Sequence, residues 1–517
     1  MIERREWRWA VGVALGVLAA SWLPYLIAWT AAPPGTHFTG LVYNPLDGHT
    51  YIAKMRLGAD GSWLFHLTYT PEPQRGAPIY LFYLLLGHLA RWTNLPLLAV
   101  YHGARTVGGL ALLLGLYRLT AHLTDRVDRR RLLFLLAALG AGLGWLAGPL
   151  GRETPDLWVA EAFPFVALLT NAHFPTALAL MAWSAHWGLD AKGSPTSRVG
   201  LLAGTAALGA IQPFGLVPLL GGLAGAWMAR GLRHRRIPWQ PLGWTALAAL
   251  LALPYPLYTL WATRTDPVLA AWSAQNVTPS PPPGDWLLSF GLLTPLAAVG
   301  AAVAGRRGQD ADGLLLGWVL ATTAGLALPL DLARRFSIGV GAAVGALAGL
   351  GWGWLGRPQR VALTTRRASV PAQRARVGAS ALVAFSAMTP LFLLLLSAGA
   401  ALGGHPLLYL SDGEQAALTW LRDQAPHDAV VLCAPETGIF VPAWAGQRVV
   451  YGHPFETVNA EARQAQVERF WAGQRDPAWL DALGVDYLFY GPRERTLGEP
   501  PTGEPLVTFG DTAVYRR

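Results

Sequence analysis

Long apolar runs recur along the chain, separated by short segments rich in arginine, glycine and proline. A membrane-crossing helix needs about 20 consecutive, mostly apolar residues. Eleven stretches approach that length: 9–29, 98–121, 132–149, 173–189, 199–214, 215–230, 239–262, 286–304, 313–330, 336–355 and 378–402. The fifth and sixth are divided at Gln212-Pro213-Phe214-Gly215, where proline removes a backbone donor and breaks the helical ladder. The stretch 78–92, PIYLFYLLLGHLARW, is too short to span and reads as an amphipathic helix lying in the interface. After about residue 403 the pattern changes. DGEQAALTWLRDQ, NAEARQAQVERFW and PAWLDALG have helical spacing, whereas DAVVLCAP, QRVVYG, VDYLFYG, PLVTFG and TAVYRR read as short strands. The predicted architecture is a polytopic α-helical membrane protein of about 11 transmembrane helices over residues 1–402. It has a long first outer loop at 30–97 and a small extracytoplasmic α/β domain over 403–517.

Composition narrows the class. Of 517 residues, 53% are hydrophobic and only 14% charged, with mean hydropathy +0.32. A soluble domain carries about 25% charge, so a soluble enzyme, a disordered chain and a nucleic-acid module are disfavoured. The net charge of +9 belongs to topology. Arginines gather at 4–8, 126–131, 230–236, 306–307 and 357–376, with Lys192 and Arg198 in a further turn, all on one side if the helices alternate. The positive-inside rule makes that side cytoplasmic. The N-terminus is then inside, the first apolar run is a signal anchor rather than a cleaved leader, and an odd helix count puts the C-terminal segment outside. The expected location is the cell (plasma) membrane. Cys433 is the sole cysteine, so no intrachain disulfide can form.

Candidate chemistry concentrates in the outer segments. The first loop contains GLVYNPLDGHTYIAKMRLGADGSW, in which Pro45 and Gly48 mark a turn and 47–57 can form a short helix. At helical spacing Asp47, Tyr51 and Lys54 share one face. Asp47 can also serve merely as a turn or capping residue. Arg105 lies in the outer part of the second helix, where it can face an anion or anchor the interface. Arg334 and Arg335 lie in PLDLARRFSIGVG, against the positive-inside bias; a paired guanidinium suits a lipid phosphate, although Asp331 is close enough in sequence to form an ion pair. His173 opens a helix behind Asn171 in TNAHFP, and Glu161 lies just before it. HExxH, paired CxxC, GxSxG and Walker A motifs are absent from the sequence, which removes metalloprotease, zinc-finger, serine-hydrolase and P-loop readings. No cofactor is required by the pattern. A divalent metal is possible, with Asp47 and Glu161 as weak candidate ligands.

One membrane helix, a long outer loop with an early aspartate, an interfacial helix, many further helices and an outer C-terminal segment together resemble the GT-C superfamily of polyprenyl-phosphate-sugar-dependent glycosyltransferases. Relatives include protein mannosyltransferases and bacterial lipid A aminoarabinose transferases. The resemblance rests on YNPLDGHTYIAKMR, with Asp47 in the place of the family's first-loop acid, and on the segment running from the interfacial helix to Arg105. The RRF segment at 334–336 and TNAHFP look like stretches of bacterial members. The paired acidic motif common in the first loop of the family is replaced here by Asp47-Gly48-His49, and a WWDYG-like motif is absent. The resemblance implies an inverting, hexosyltransferase- or mannosyltransferase-like enzyme acting at the outer membrane face. It would use a polyprenyl-phosphate-linked sugar donor and a lipid, glycan or protein acceptor, and no nucleic acid. Asp47 would be the catalytic base, and Tyr51, Lys54, Arg105, His173, Arg334 and Arg335 would contact substrates. Two other classes fit the hydropathy pattern. A transporter or flippase would show internal repeats and ionisable residues at mid-membrane depth. A non-catalytic envelope assembly protein would expose the aromatic stretch around Trp444, Tyr451 and His453 as a partner surface.

Overall fold

The computed structural model describes residues 2–190, 194–355 and 369–517. Lys192 and the arginines at 357–367 of the predicted cytoplasmic clusters lie outside the described residues. Each of the eleven apolar stretches coincides with helix. Among the described residues, six segments are long and apolar enough to cross a membrane: α1 (Arg4–Thr30), Leu97–Thr120, Val127–Leu150, Trp239–Thr265, Ala333–Leu355 and Arg376–Leu402. A seventh is possible if the pair Pro283–Phe290 and Leu293–Arg307, bent by 88°, counts as one span. The remaining predicted stretches are the helices His173–Asp190, Pro195–Ile211, Leu216–His234 and Asp310–Leu326, of 17 to 19 residues.

The third predicted span is not one continuous helix. Val127–Leu139 ends at Gly140, and helix resumes at Gly144. A buried carboxylate accounts for the interruption. Asp156 accepts hydrogen bonds from the backbone of Gly142 (3.1 Å) and Gly144 (3.0 Å) and from the hydroxyls of Thr154 (2.6 Å) and Thr389 (2.9 Å). These bonds replace the helical ones that the break forfeits.

The chain divides into two compact units. The first comprises residues 1–22, 105–256 and 278–396 and is almost wholly helical. Its helices Leu216–His234 and Asp310–Leu326 meet along small residues: a side chain added at Gly225 would run into the backbone of Gly313, and one at Gly317 into that of Gly221. Apolar lipid offers little drive for helices to associate, so close backbone packing through small residues supplies the attraction.

The second unit comprises residues 23–104, 257–277 and 397–517. The C-terminal segment predicted as a free-standing domain over 403–517 therefore shares its compact unit with the first loop. The two are stitched by an antiparallel pair, β1 (Thr36–Phe38) on β2 (Tyr409–Ser411). All five C-terminal strands expected from the sequence form one sheet: β3 (Val430–Leu432), β4 (Arg448–Val449), β5 (Tyr487–Tyr490), β6 (Val507–Phe509) and β7 (Thr512–Arg516), in the order β4-β3-β5-β7-β6. β3 runs parallel to both β4 and β5, while β7 is antiparallel to β5 and β6. Val430, Leu432, Val467, Phe470, Trp471 and Tyr490 form the core beneath the helix Ala460–Trp471.

Two helices of the first loop complete this unit: α2 (Pro45–Ala59) and α3 (Leu81–Thr93). α3 is the amphipathic segment seen in the sequence. It buries Tyr83, Leu84, Leu86 and Ala90 and exposes Leu85, Leu89 and Trp92, one stripe at helical spacing. The two helices cross at glycines: a Cβ on Gly58 would overlap the carbonyl of Leu84, and one on Gly87 the carbonyl of Met55. Gly87→Ala is therefore expected to cost roughly 1–3 kcal/mol through overpacking, read as a lower melting temperature in detergent.

Candidate active site

Asp47 sits in the first turn of α2, where the helix N-terminus favours a carboxylate. The turn is built locally. Asn44 adopts the left-handed conformation (φ 49°), which asparagine tolerates better than most residues, and Pro45 supplies a preset first helical position. The Asn44 Oδ1 accepts from the Asp47 backbone (3.4 Å), and its Nδ2 donates to Asp47 Oδ2 (2.6 Å).

The other carboxylate oxygen meets a residue 406 positions away. His453 Nε2 lies 3.2 Å from Asp47 Oδ1. His453 is buried, with 2% of its side chain exposed, whereas Asp47 keeps 43% of its own in contact with solvent. Burial works to raise the Asp47 pKa. The hydrogen bond from His453, that from Asn44 and the positive charge of Lys54 outweigh it, so the net shift is below the ordinary carboxylate value.

The predicted face of α2 is realised as a gradient from wet to dry. Tyr51 is half-buried and stacks on Tyr83 at 4.4 Å. Lys54, one turn further, is buried: its ammonium lies 2.7 Å from Glu456 Oε1 and 3.2 Å from Thr50 Oγ1. The rings of Tyr80, Tyr51 and Phe65 surround it at 4.6, 5.0 and 5.4 Å. The family resemblance implies a substrate contact for Lys54. The structure commits its charge to Glu456, because a buried ammonium has to be paired.

The loop carrying His453 and Glu456 is itself braced. Thr457 Oγ1 accepts from the backbone of Gly452 (3.2 Å) and His453 (3.3 Å). Gln275 donates to Thr457 O, and Asn276 to Phe455 O (3.0 Å). Neither His453 nor Glu456 was assigned a site role from the sequence. The available signal was GHPFETVN, a histidine and a carboxylate three residues apart in an aromatic-rich stretch, but nothing local ties it to α2. Tyr451 and His453 are buried and Trp444 is half-buried. Tyr451 and His453 therefore pack as interior, and Phe455 is the exposed ring of that stretch.

The other sequence candidates lie in the first unit. Arg105 is buried, with Nη1 3.3 Å from the Leu169 carbonyl and its guanidinium 4.9 Å from the Trp22 ring. His173 is buried at the start of its helix against Phe174, with ring centroids 4.0 Å apart. Arg334 and Arg335 occupy the short turn Ala333–Ser337. The ion pair anticipated with Asp331 is replaced: Arg334 lies 3.7 Å from Glu161 and 4.7 Å from the Trp158 ring, while Arg335 lies 5.5 Å from the Phe214 ring. Both arginines remain partly exposed.

The metal reading does not fit these residues. The groups bonded to the Asp47 oxygens are N–H donors, and an ammonium lies nearby, so they present hydrogens rather than lone pairs to that space. Glu161 faces Arg334. Among the described residues, one group of three potential ligands converges, His122, His186 and Asp190, with ligand atoms within 4.8 Å of one another. There Arg118 donates to His186 Nε2 (3.3 Å), and His186 Nδ1 lies 2.8 Å from His122 Nε2. This arrangement closes as a hydrogen-bond chain.

No protein-family model matches the sequence, and no curated protein matches it. Solved structures do match. ArnT from Cupriavidus metallidurans, bound to undecaprenyl phosphate, aligns over 99% of this chain and 98% of its own, with TM-score 0.54 and 13% identity. The fold is that of the GT-C membrane glycosyltransferases. The Archaeoglobus fulgidus oligosaccharyltransferase, tethered to an acceptor peptide, aligns over 93% of this chain and 69% of its own at TM-score 0.51 and 14% identity. The mycobacterial arabinofuranosyltransferase AftD aligns over 97% of this chain but 41% of its own, at TM-score 0.50 and 17% identity. The near end-to-end match to ArnT means that the GT-C fold of this chain includes its C-terminal sheet as well as its apolar helices.

His49, two residues beyond Asp47, is turned inward against Phe440 (4.8 Å between ring centroids). Burial pushes its pKa from 6.5 to about 3. The unfolded chain therefore takes up a proton below pH 6.5 that the folded chain refuses, so this residue costs stability as the pH falls from 6.5 toward 3. His49→Asn should flatten the decline of melting temperature over that window, measured against wild type at matched pH.

Proposed function

We propose that the chain is an integral membrane glycosyltransferase that moves a sugar from a polyprenyl-phosphate donor to an acceptor hydroxyl at the outer membrane face. The carrying observation is the end-to-end GT-C fold, shared with an ArnT that binds undecaprenyl phosphate. Asp47, half-exposed and held on both oxygens, adds to it. In this reading the chain crosses the cell membrane eleven times, with its N-terminus cytoplasmic and its C-terminal segment outside. The arginine distribution supports that orientation.

The chemistry needs a base and fixed cations. As the acceptor oxygen attacks the anomeric carbon, its proton passes to Asp47, whose lowered pKa keeps it ionised at neutral pH. Attack opposite the leaving phosphate inverts the anomeric centre, as in inverting glycosidases. The bond to the phosphate breaks with its electron pair, and positive groups stabilise the charge that develops. The sequence resemblance assigns that charge to Arg334 and Arg335: both are partly exposed, Arg334 lying 3.7 Å from Glu161 and 4.7 Å from the Trp158 ring. Arg105, bonded to a helix carbonyl, and His173, buried beside Phe174, take supporting places in the first unit. Tyr51 offers a hydroxyl on the same face as Asp47. No step is routed through a metal. The hexosyl or mannosyl nature of the sugar rests on the sequence resemblance.

The test supplies radiolabelled polyprenyl-phosphate sugars to purified protein in nanodiscs, with membrane extract as acceptor. Wild type should consume at least one donor, and Asp47→Asn should lower turnover by about 10²–10⁴-fold with an unchanged melt. No consumption and no binding of any donor would overturn the proposal. In the same assay Arg335→Gln should weaken binding of the donor about tenfold or more, as expected for one charge-assisted contact. An equal affinity for the bare prenyl alcohol before and after the substitution would confirm that the phosphate is what the arginine senses.

A further inference from the structure

We infer that His453 is the positioning residue for Asp47: it donates Nε2–H to one carboxylate oxygen and fixes the plane from which the base works. This role rests on the glycosyltransferase reading of Asp47. The proton can be placed from the backbone alone. His453 Nδ1 accepts from the N–H groups of Phe455 (3.0 Å) and Glu456 (3.2 Å), so it carries no hydrogen. In the neutral ring the hydrogen is then on Nε2, 3.2 Å from Asp47 Oδ1. Asn44 Nδ2 serves Oδ2 in the same way at 2.6 Å. A carboxylate has about four lone-pair sites. Two are taken by these donors, and the exposed part of the group keeps the others for an acceptor hydroxyl.

The order of burial assigns the roles. In a serine-hydrolase triad the histidine moves the proton and a buried aspartate orients it. Here the histidine is the buried partner, with 2% side-chain exposure against 43% for Asp47. A buried ring whose Nδ1 is closed by two backbone donors does not reach a substrate proton, so it orients the carboxylate that does. The brace continues about two turns along α2, where Glu456 of the same loop holds Lys54 at 2.7 Å. Two cross-links from one hexapeptide, Gly452–Thr457, thus fix both the helix carrying the base and the base itself.

Conservative substitutions separate positioning from scaffolding. Asparagine at 453 keeps an acceptor where Nδ1 was, so it still closes the loop, but it is too short to reach Asp47. Glutamine places an N–H where Nε2 was but gives up the acceptor. If His453 positions Asp47, His453→Asn melts near wild type yet loses kcat about tenfold with KM unchanged. His453→Gln then melts lower but keeps kcat closer to wild type. The reverse pattern, Asn active and Gln inactive, would show that His453 only caps the loop and would overturn the inference while leaving the enzyme. A wild type that neither turns over nor binds any donor would overturn the glycosyltransferase reading itself, and this role with it. His453→Leu adds a check: if it folds, it should lose kcat as Asn does, and if it does not, the Asn–Gln pair decides. ¹⁵N spectra of histidine-labelled protein give a readout independent of turnover. The Nε2–H signal of His453 should move in Asp47→Asn, and an unmoved signal would overturn the contact.

Discussion

A buried ammonium must be neutralised where it lies, and in the second unit that constraint falls on Lys54. Its partner Glu456 and the cage of Tyr51, Phe65 and Tyr80 hold an ion pair that solvent scarcely reaches. Removing one member of such a pair leaves a charge stranded in a low-dielectric interior, which commonly costs several kcal/mol. The pair therefore dictates where the Gly452–Thr457 loop rests on α2. With that loop in place, His453 lies against Asp47. The surroundings of Asp47 are thus tied to an electrostatic requirement some distance along the helix.

Other buried polar groups act in the same way. Asp156 holds the broken helix at Gly142 and Gly144 by accepting the backbone hydrogens that the break releases. Arg493 bonds to Glu414, and Glu414 in turn completes the capping box with Ser411 at the head of the helix Asp412–Gln424. Each of these is a local answer to an unsatisfied charge or backbone group. In each case a buried charged residue acts as a fastener.

The division of labour within the α2 face shows how such fasteners shape function. Asp47, Tyr51 and Lys54 are equivalent by helical spacing, but their surroundings differ. Lys54 points into aromatic packing and is spent on structure, whereas Asp47 stands at the helix start with solvent on one side. Lys54 is the buried member of the three, and Asp47 and Tyr51 keep partial exposure. The same logic separates Arg105, buried and bonded to a helix carbonyl, from Arg334 and Arg335, which stay partly exposed on a short turn.

Much of this protein was readable from residue order. Apolar length must be helix in a bilayer because lipid cannot satisfy backbone groups, so the helices appear near their expected bounds. Short apolar runs likewise marked the C-terminal strands, and Pro45 marked the turn that presents Asp47, whereas Gly48, read as part of that turn, lies inside α2. The amphipathic helix α3 and the break at Gln212-Pro213 also appear as read. The break at 140–143 did not, because its cause, the Asp156 carboxylate, acts through a fold-back of the chain. The partners of Lys54, Arg334 and Asp47 were also out of reach. Glu456 and His453 lie about 400 residues from α2, and Glu161 rather than the nearer Asp331 faces Arg334 because packing, not sequence spacing, sets the neighbour. Periodicity reports the environment of one element. Which two elements share a charge depends on long-range packing, and that was decided only in the tertiary structure.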